Sequence, residues 1–169
     1  MKTNSALQTL ISVPLLLFSA CREVSMSTTP IAAKRLLFVC VENANRSQMA
    51  EAFAQRHGQG KIEAYSAGSR PSGRVNPRAI EFMREVGYDL STQQSKGLTN
   101  LPDVEFDVVV TMGCGDECPV VRAKRREDWN IPDPKDLPPE EFRAVRDLIE
   151  KKVKELLRGY EEGNHESHE

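Results

Sequence analysis

The chain has 169 residues, of which 28% are charged and 39% hydrophobic, a composition typical of one globular domain and too polar for several membrane spans. Its 23 basic and 25 acidic side chains give a formal net charge of −2, so no overall positive field would attract nucleic acid or an anionic membrane. The four cysteines are too few and too unevenly spaced for a disulfide-stapled secreted module.

The N-terminal segment, residues 1–33, is predicted to be a disordered extension that precedes the folded domain. Its apolar run over residues 10–20 is too short to span a bilayer, although it has the length of a signal-peptide core and ends before Cys21, as in a lipoprotein signal. The bulky Phe18 and the single positive charge near the start argue against a signal, and translation from Met26 would omit residues 1–25. We therefore expect a cytoplasmic protein, or an exported or lipid-anchored one if the segment before Cys21 is a true signal.

Residues 34–158 alternate between apolar runs typical of buried parallel strands and amphipathic patterns typical of helices. The predicted elements in chain order are a strand over 36–39, a helix over 47–56, a strand over 62–67, a helix from Asn76 to Gly87, a strand over 106–112 and a last helix with its apolar stripe over 142–157. This order predicts one α/β domain whose helices cover a small parallel sheet. The basic run over 124–126 is predicted to be a solvated face, and residues 159–169 a frayed polar tail.

The loop CVENANRS, residues 40–47, joins the first predicted strand to the first predicted helix. Backbone N–H groups of such a loop point inward and form an anion cradle, which favours the thiolate form of a cysteine at its base. Arg46 can grip two oxygens of a tetrahedral oxyanion, and Ser47 can donate a hydrogen bond to the thiolate of Cys40. The spacing predicts an oxyanion site with a cysteine nucleophile; the alternative is a buried core cysteine and an unrelated surface arginine. The residues expected to bind the oxyanion are Glu42, Asn43, Ala44, Asn45 and Arg46.

The segment CVENANRSQMAE, residues 40–51, resembles the active-site loop of the low-molecular-weight tyrosine phosphatase superfamily, and its RSQMAE part resembles the arsenate reductase branch. The likeness continues through AYSAGS at 64–69, NPRAI at 76–80, DVVVTM at 107–112 and the pair Asp133-Pro134. It implies a single-domain, four-stranded parallel sheet flanked by helices over 34–158. It also implies the thiol-dependent reduction of arsenate to arsenite for arsenic detoxification, and a role for Asn43 in holding the loop shape.

The same resemblance implies that Asp133 is the general acid, which protonates the leaving oxygen as the thiolate attacks. Two positions depart from the family pattern. Lys135 follows the Asp-Pro pair where a phosphatase normally has an aromatic residue, which argues against phosphotyrosine as substrate. Glu42 stands where the family commonly has glycine, and an acid there would oppose anion binding unless its side chain points outward. Trp129 is expected to pack against the Asp133 loop.

Two further cysteines lie in GCGDECP, residues 113–119, directly after the strand predicted over 106–112. Because active groups collect at the carboxyl ends of parallel strands, Cys114 can approach Cys40. We expect a thiol relay in which Cys40 attacks arsenate and Cys114 or Cys118 then attacks Cys40. The resulting disulfide passes to an external reductant, either thioredoxin or a mycothiol, glutathione or glutaredoxin system.

Several alternatives stay open at the level of sequence. Cys114 and Cys118 could be plain loop residues, with glutathione or mycothiol resolving the adduct in an arsenate–thiol transferase. The chain could also be a low-molecular-weight protein tyrosine phosphatase, or a non-catalytic protein that senses arsenic or redox state. A zinc site at Cys114 and Cys118 lacks partners, because His57 is distant in sequence. We expect no metal, no bound cofactor, no nucleic acid and no stable membrane partner.

Overall fold

The computed structural model describes residues 33–113 and 121–162. Within these residues the chain forms a four-stranded, fully parallel sheet in the order β2-β1-β3-β4 with three α-helices, which confirms the predicted fold class. The elements are β1 (Lys34–Cys40), α1 (Arg46–His57), β2 (Ile62–Gly68), α2 (Pro77–Arg84), a 3-10 turn (Leu98–Asn100), β3 (Phe106–Thr111), β4 (Ala123–Asp128) and α3 (Pro139–Glu162).

Strand β1 lies between β2 and β3, so its carboxyl end is surrounded by neighbouring strand ends. Cys40 pairs with Gly68 of β2, and Val39 pairs with Thr111 of β3. The last five residues of β1 are buried on both faces of the sheet, as expected for a central parallel strand. This topology collects three strand ends around Cys40, where ligands bind in open parallel sheets.

The two faces of the sheet have different coverings. Leu36 and Phe38 point to the face on which α1, α2 and α3 pack, and they share one core cluster with buried residues of all three helices. Leu37 and Val39 point to the other face, where they pack with Phe106 and with the segment around the 3-10 turn. The helices therefore hold one side of β1 rigidly and position the start of α1 beside the end of β1.

Three details differ from the sequence predictions. Residues 124–126 are exposed as expected, but they belong to the edge strand β4, whose backbone hydrogen bonds to β3 do not require apolar side chains. Helix α2 ends at Arg84, and the chain then tightens into a turn with Gly87 at φ 83°. Helix α3 continues to Glu162, so the first residues of the predicted tail are helical.

The remaining predictions concern Trp129, membrane-spanning helices and the two ends of the chain. Trp129 is 5% exposed, its ring centroid lies 5.9 Å from that of Phe38, and its carbonyl accepts a hydrogen bond from Ile131 at the start of the Asp133 loop. No helix in residues 33–113 and 121–162 is both long and apolar enough to cross a membrane. The predicted extension before residue 33, with its signal-like run, and the tail after residue 162 lie outside the described residues.

Candidate active site

The loop between β1 and α1 carries the predicted nucleophile. Cys40 is the last residue of β1 and is 3% exposed, and Arg46 is the first residue of α1. Between them the backbone turns through Asn43, whose φ of 48° lies in the left-handed region that asparagine tolerates better than most residues. The turn brings the loop to the N-terminus of α1, where free N–H groups and the helix dipole favour an anion.

The end of β2 supports this loop at Gly68. A Cβ atom added to Gly68 would lie 2.6 Å from the carbonyl oxygen of Val41 and 2.9 Å from the backbone nitrogen of Asn43. Both distances are well inside van der Waals contact. The loop can therefore lie against β2 only because residue 68 has no side chain.

The thiol of Cys40 has a defined polar neighbour. Its Sγ lies 3.0 Å from Oγ of Ser47, and Nδ2 of Asn43 donates to the same Oγ at 2.8 Å. A hydroxyl has one proton, and Oγ already accepts from Asn43. The Ser47 proton is therefore free to point at the sulfur of Cys40, and its role toward a thiolate stays a prediction.

A buried chain of hydrogen bonds extends behind this contact. Nδ2 of Asn43 also donates to Oγ of Ser66 at 2.9 Å, and Ser66 donates to Oε2 of Glu51 at 2.5 Å. Nζ of Lys96 lies 3.1 Å from the same carboxylate oxygen. Glu51 is 7% exposed, and the hydrogen bonds to Ser66 and Lys96 satisfy its buried carboxylate. The chain fixes Asn43, and through it the direction of Ser47.

The other end of the Asn43 amide is equally engaged. Its Oδ1 accepts from the backbone nitrogen of Lys96 at 2.8 Å and from Nε2 of Gln48 at 2.9 Å. These contacts agree with the loop-holding role implied for Asn43. The sequence analysis assigned no role to Glu51, Ser66 or Lys96. The sequence feature that could have indicated Glu51 is its place in CVENANRSQMAE, and for Ser66 it is its place in AYSAGS.

Arg46 connects the loop to two other segments. Its Nη1 donates to the carbonyl oxygens of Met112 at 2.7 Å and Ile131 at 2.9 Å, and its Nη2 donates to Oδ2 of Asp133 at 3.0 Å. The residue is 6% exposed, and its Nε has no hydrogen-bond partner among the described residues. A buried, charged N–H donor left unpaired is costly, so an oxygen of a bound anion is its natural acceptor.

Asp133 reaches the site from the loop that follows β4. One carboxylate oxygen is bound by Arg46, and the other accepts from the backbone nitrogen of Lys135 at 3.1 Å. Its side chain is 44% exposed, so water can reach the carboxylate. The structure thus brings the predicted general acid to the guanidinium of the predicted oxyanion clamp.

Glu42 does not present a free negative charge to the site. Its Oε1 lies 2.7 Å from Nζ of Lys135, and both side chains are partly exposed. The hydrogen bond to Glu42 and the attraction of its charge raise the pKa of Lys135 above the ordinary lysine value. The acid that would oppose anion binding is paired with a cation from the Asp133 loop.

The predicted relay cysteines, Cys114 and Cys118, lie outside the described residues. Gly113, the residue before them, is described: its φ is 71°, and a Cβ built on it would lie 3.6 Å from Nη1 of Arg46. The chain therefore enters the cysteine segment from a point beside the oxyanion clamp.

No cluster of three or more metal-binding side chains occurs within residues 33–113 and 121–162. His57, considered as a partner for zinc, ends α1 and lies 2.9 Å from Glu150. Since Arg46 begins the same helix, the two residues are separated by about 16 Å at 1.5 Å per residue. His57 is therefore not part of the site at Cys40.

Comparison with known proteins gives one family. The model of the low molecular weight phosphotyrosine protein phosphatases matches residues 35–166. The chain is 42% identical over 127 residues to a protein of Synechocystis sp. named glutaredoxin arsenate reductase, covering 73% of this chain and 96% of that protein.

Solved structures agree with this assignment. An arsenate reductase in the phosphate binding state superposes with a TM-score of 0.69 at 41% identity, covering 75% of this chain and 98% of that one. The Corynebacterium glutamicum thioredoxin-dependent arsenate reductase superposes with a TM-score of 0.65 at 31% identity, covering 78% of this chain and 64% of that one.

Proposed function

The chain belongs to the low-molecular-weight phosphotyrosine protein phosphatase family, and from this premise we propose that it is an arsenate reductase that converts arsenate to arsenite for arsenic detoxification. The observation that carries the proposal is the set of groups around Cys40. Ser47 is hydrogen-bonded to its sulfur, and Arg46, the first residue of α1, has a buried Nε–H group without a partner in the described part of the chain. The identity of about 41–42% to proteins named arsenate reductase supports arsenate as the oxyanion.

The first step forms the bond between sulfur and arsenic. The Cys40 thiolate attacks arsenic(V), and Asp133 in its protonated form donates its proton to the departing oxygen, which leaves as water. Arg46 and the N-terminus of α1 stabilise the negative charge on the remaining oxygens. Arsenic stays in the +5 state in this step, because no electrons have been transferred to it.

The second step reduces arsenic. We propose that a thiolate of Cys114 or Cys118 attacks Sγ of Cys40. The electron pair of the S–As bond then passes to arsenic, which leaves as arsenite, and a disulfide forms from the two sulfurs. The position of Gly113 beside Arg46 supports this assignment, since it directly precedes Cys114. An external dithiol then reduces the disulfide and completes the cycle.

The external reductant is proposed to be thioredoxin, with a small-thiol system as the alternative. The relatives support both classes, because one is named a glutaredoxin enzyme and another a thioredoxin-dependent one. Thiols that must be re-reduced in each cycle are maintained in a reducing compartment. We therefore propose a cytoplasmic location.

The test couples the full-length chain to thioredoxin, thioredoxin reductase and NADPH, and follows NADPH loss after arsenate is added. We expect loss that is abolished by Cys40→Ser, by Cys114→Ser and by Cys118→Ser. The fourth cysteine provides a matched control, and Cys21→Ser should leave the rate unchanged.

Other outcomes distinguish the alternatives. Activity that requires glutathione or mycothiol and survives loss of both Cys114 and Cys118 would identify an arsenate–thiol transferase. No arsenate reduction with any thiol, together with hydrolysis of an aryl phosphate that needs Cys40 alone, would identify a phosphatase. Arsenate-dependent oxidation of thiols without repeated turnover would identify a sensor.

A further inference from the structure

An ion pair joins the oxyanion loop to the loop of the general acid. Glu42 lies two residues after Cys40, and its carboxylate is 2.7 Å from Nζ of Lys135, two residues after Asp133. The partners are 93 residues apart in sequence. Both side chains depart from the family pattern described above, and in this chain they contact each other.

The ion pair closes a ring of contacts around the general acid. Arg46, the first residue of α1, donates to Oδ2 of Asp133, while the backbone nitrogen of Lys135 donates to Oδ1. Movement of Lys135 would therefore remove one of the two hydrogen bonds that orient the carboxylate. Nη1 of Arg78 also donates to the carbonyl oxygen of Lys135 at 2.9 Å.

We propose that the Glu42–Lys135 ion pair is a positioning latch, which orients Asp133 over the oxyanion loop and also neutralises Glu42 so that the anion is not repelled. The proposal deepens, and rests on, the proposed oxyanion chemistry at Cys40. Neither side chain is a catalytic residue in this scheme. Lys135 acts through Asp133, and Glu42 acts through Lys135.

The latch contributes to positioning rather than to overall stability. Both partners are partly exposed, with side chains 36% and 48% accessible, and exposed ion pairs have small effects on unfolding. Changes in kcat that accompany an unchanged thermal midpoint would therefore report the orientation of Asp133. The expected size is about 1.5-fold to fivefold, the range of couplings measured across exposed ion pairs.

The two roles predict different kinetic changes. Glu42→Gln removes the negative charge together with the latch, so kcat falls while KM for arsenate does not rise. Lys135→Met leaves Glu42 as an unpaired carboxylate beside the anion site, so kcat falls and KM rises. A loss of packing alone would not raise KM in Lys135→Met while leaving it unraised in Glu42→Gln. Lys135→Arg keeps the cation and should retain most of the wild-type kcat.

The experiment measures kcat and KM of the full-length variants Glu42→Gln, Lys135→Met and Lys135→Arg, and of the double variant Glu42→Gln/Lys135→Met. Lys154→Met is the matched control, because Lys154 of α3 is 50% exposed and its Nζ lies 2.7 Å from Oε1 of Glu150 on the same helix. Glu150 contacts His57 at the C-terminal end of α1, away from Cys40. We expect the double variant to have the kcat of the worse single variant, and the control to equal the wild type. Independent, multiplicative losses in the double variant, or a wild-type kcat in Lys135→Met, would overturn the latch.

The same variants are assayed with an aryl phosphate, for which Asp133 would protonate the leaving phenol oxygen. If the wild type hydrolyses this ester but reduces no arsenate, the proposed reductase function fails. The proposed role of the ion pair is then still tested by comparing kcat for ester hydrolysis between the single and double variants. If the wild type reduces arsenate and the losses are multiplicative, only the latch fails. A wild type with neither activity would overturn both.

Discussion

The hydrogen bonds of Asn43 determine how Ser47 is oriented toward the sulfur of Cys40. Nδ2 of Asn43 donates to both Ser47 and Ser66, and Oδ1 of the same amide accepts from Lys96 and Gln48. An asparagine whose donors and acceptor are engaged in this way cannot rotate without breaking several buried bonds. Ser47 is consequently presented to the thiolate in one orientation.

Removal of the Ser47 hydroxyl should weaken the nucleophile. Hydrogen bonds to charged groups contribute about 1.5–3 kcal/mol, so Ser47→Ala should lower kcat by roughly tenfold to a hundredfold. Alkylation of Cys40 by iodoacetamide at neutral pH, read by mass spectrometry, should slow in parallel. Ser72→Ala is the control, since Ser72 is exposed and its hydroxyl donates to the carbonyl oxygen of Arg74, away from Cys40. Equal alkylation rates for Ser47→Ala and wild type would contradict the assigned hydrogen bond.

The sequence predicted local parts of this site better than distant ones. Cys40, Arg46 and Ser47 are within one loop, and their spacing was sufficient to suggest an anion cradle. The bonds from Ser66 to Glu51 and from Glu51 to Lys96 span 15 and 45 residues, and no spacing rule indicates them. The roles of Cys114 and Cys118 stay predictions.

At the scale of secondary-structure elements, the contact between β2 and the oxyanion loop is a tight one. A side chain at Gly68 would meet backbone atoms of Val41 and Asn43 rather than the end of a flexible side chain. Overpacking of this kind costs about 1–3 kcal/mol. Gly68→Ala should therefore lower both the free energy of unfolding and kcat, because the loop must move.

A second glycine gives the matched control for this prediction. A Cβ atom at Gly159, in the exposed part of α3, would meet nothing within 4 Å. Gly159→Ala should stabilise the helix by about 0.5–1 kcal/mol and leave kcat unchanged. Urea denaturation and steady-state assays test both variants. A Gly68→Ala protein with wild-type stability would mean that the loop and β2 separate at little cost.

Helices α2 and α3 are connected by Glu85. Its carboxylate binds Nη2 of Arg143 at 2.7 Å and Nε at 2.8 Å, and it also accepts from Arg146 at 3.0 Å. The hydrogen bond from Arg143 is the main reason that the pKa of Glu85 is lowered to about 2. A lowered carboxyl pKa means that the stabilisation is present above the unfolded value and is lost as the pH falls through the folded one.

Glu85→Gln should therefore destabilise the protein at neutral pH. The difference from wild type should shrink as the pH falls from about 4.5 towards 2, because wild-type Glu85 then becomes neutral as well. Urea denaturation at a series of pH values measures the difference. Glu155→Gln is the control, since Glu155 lies 4.0 Å from Lys151 in an exposed pair. A difference that stays constant across this range would contradict the charge-based account.

The elements that the sequence predicted correctly are those with strong apolar signals. Strand β1 is a continuous buried run, and α3 has a clear apolar stripe. Strand β4 has the sequence AKRRED and no buried residue, so neither alternation nor hydrophobicity identified it. An edge strand needs only its backbone to join a sheet, and that requirement leaves no pattern in the side chains.

At the scale of the whole molecule, the candidate site connects parts of the chain that are distant in sequence. Arg46 joins the start of α1 to the carbonyl of Met112 after β3 and to Ile131 and Asp133 after β4. An anion bound between Cys40 and Arg46 therefore interacts with groups that are together only in the folded protein. Binding at such a site must stabilise the native state by mass action.

Phosphate, which shares the charge and shape of arsenate, should raise the thermal midpoint of the full-length protein. At a concentration of about 100 Kd the stabilisation is about 2.7 kcal/mol, which corresponds to a shift of roughly 5–10 °C for a domain of this size. Chloride at the same ionic strength should have little effect. Arg46→Ala should lower the midpoint without anion, because three hydrogen bonds are lost, and should remove the phosphate-dependent shift. A shift of equal size in wild type and Arg46→Ala would locate phosphate binding elsewhere and would remove the main support for the oxyanion site at Cys40.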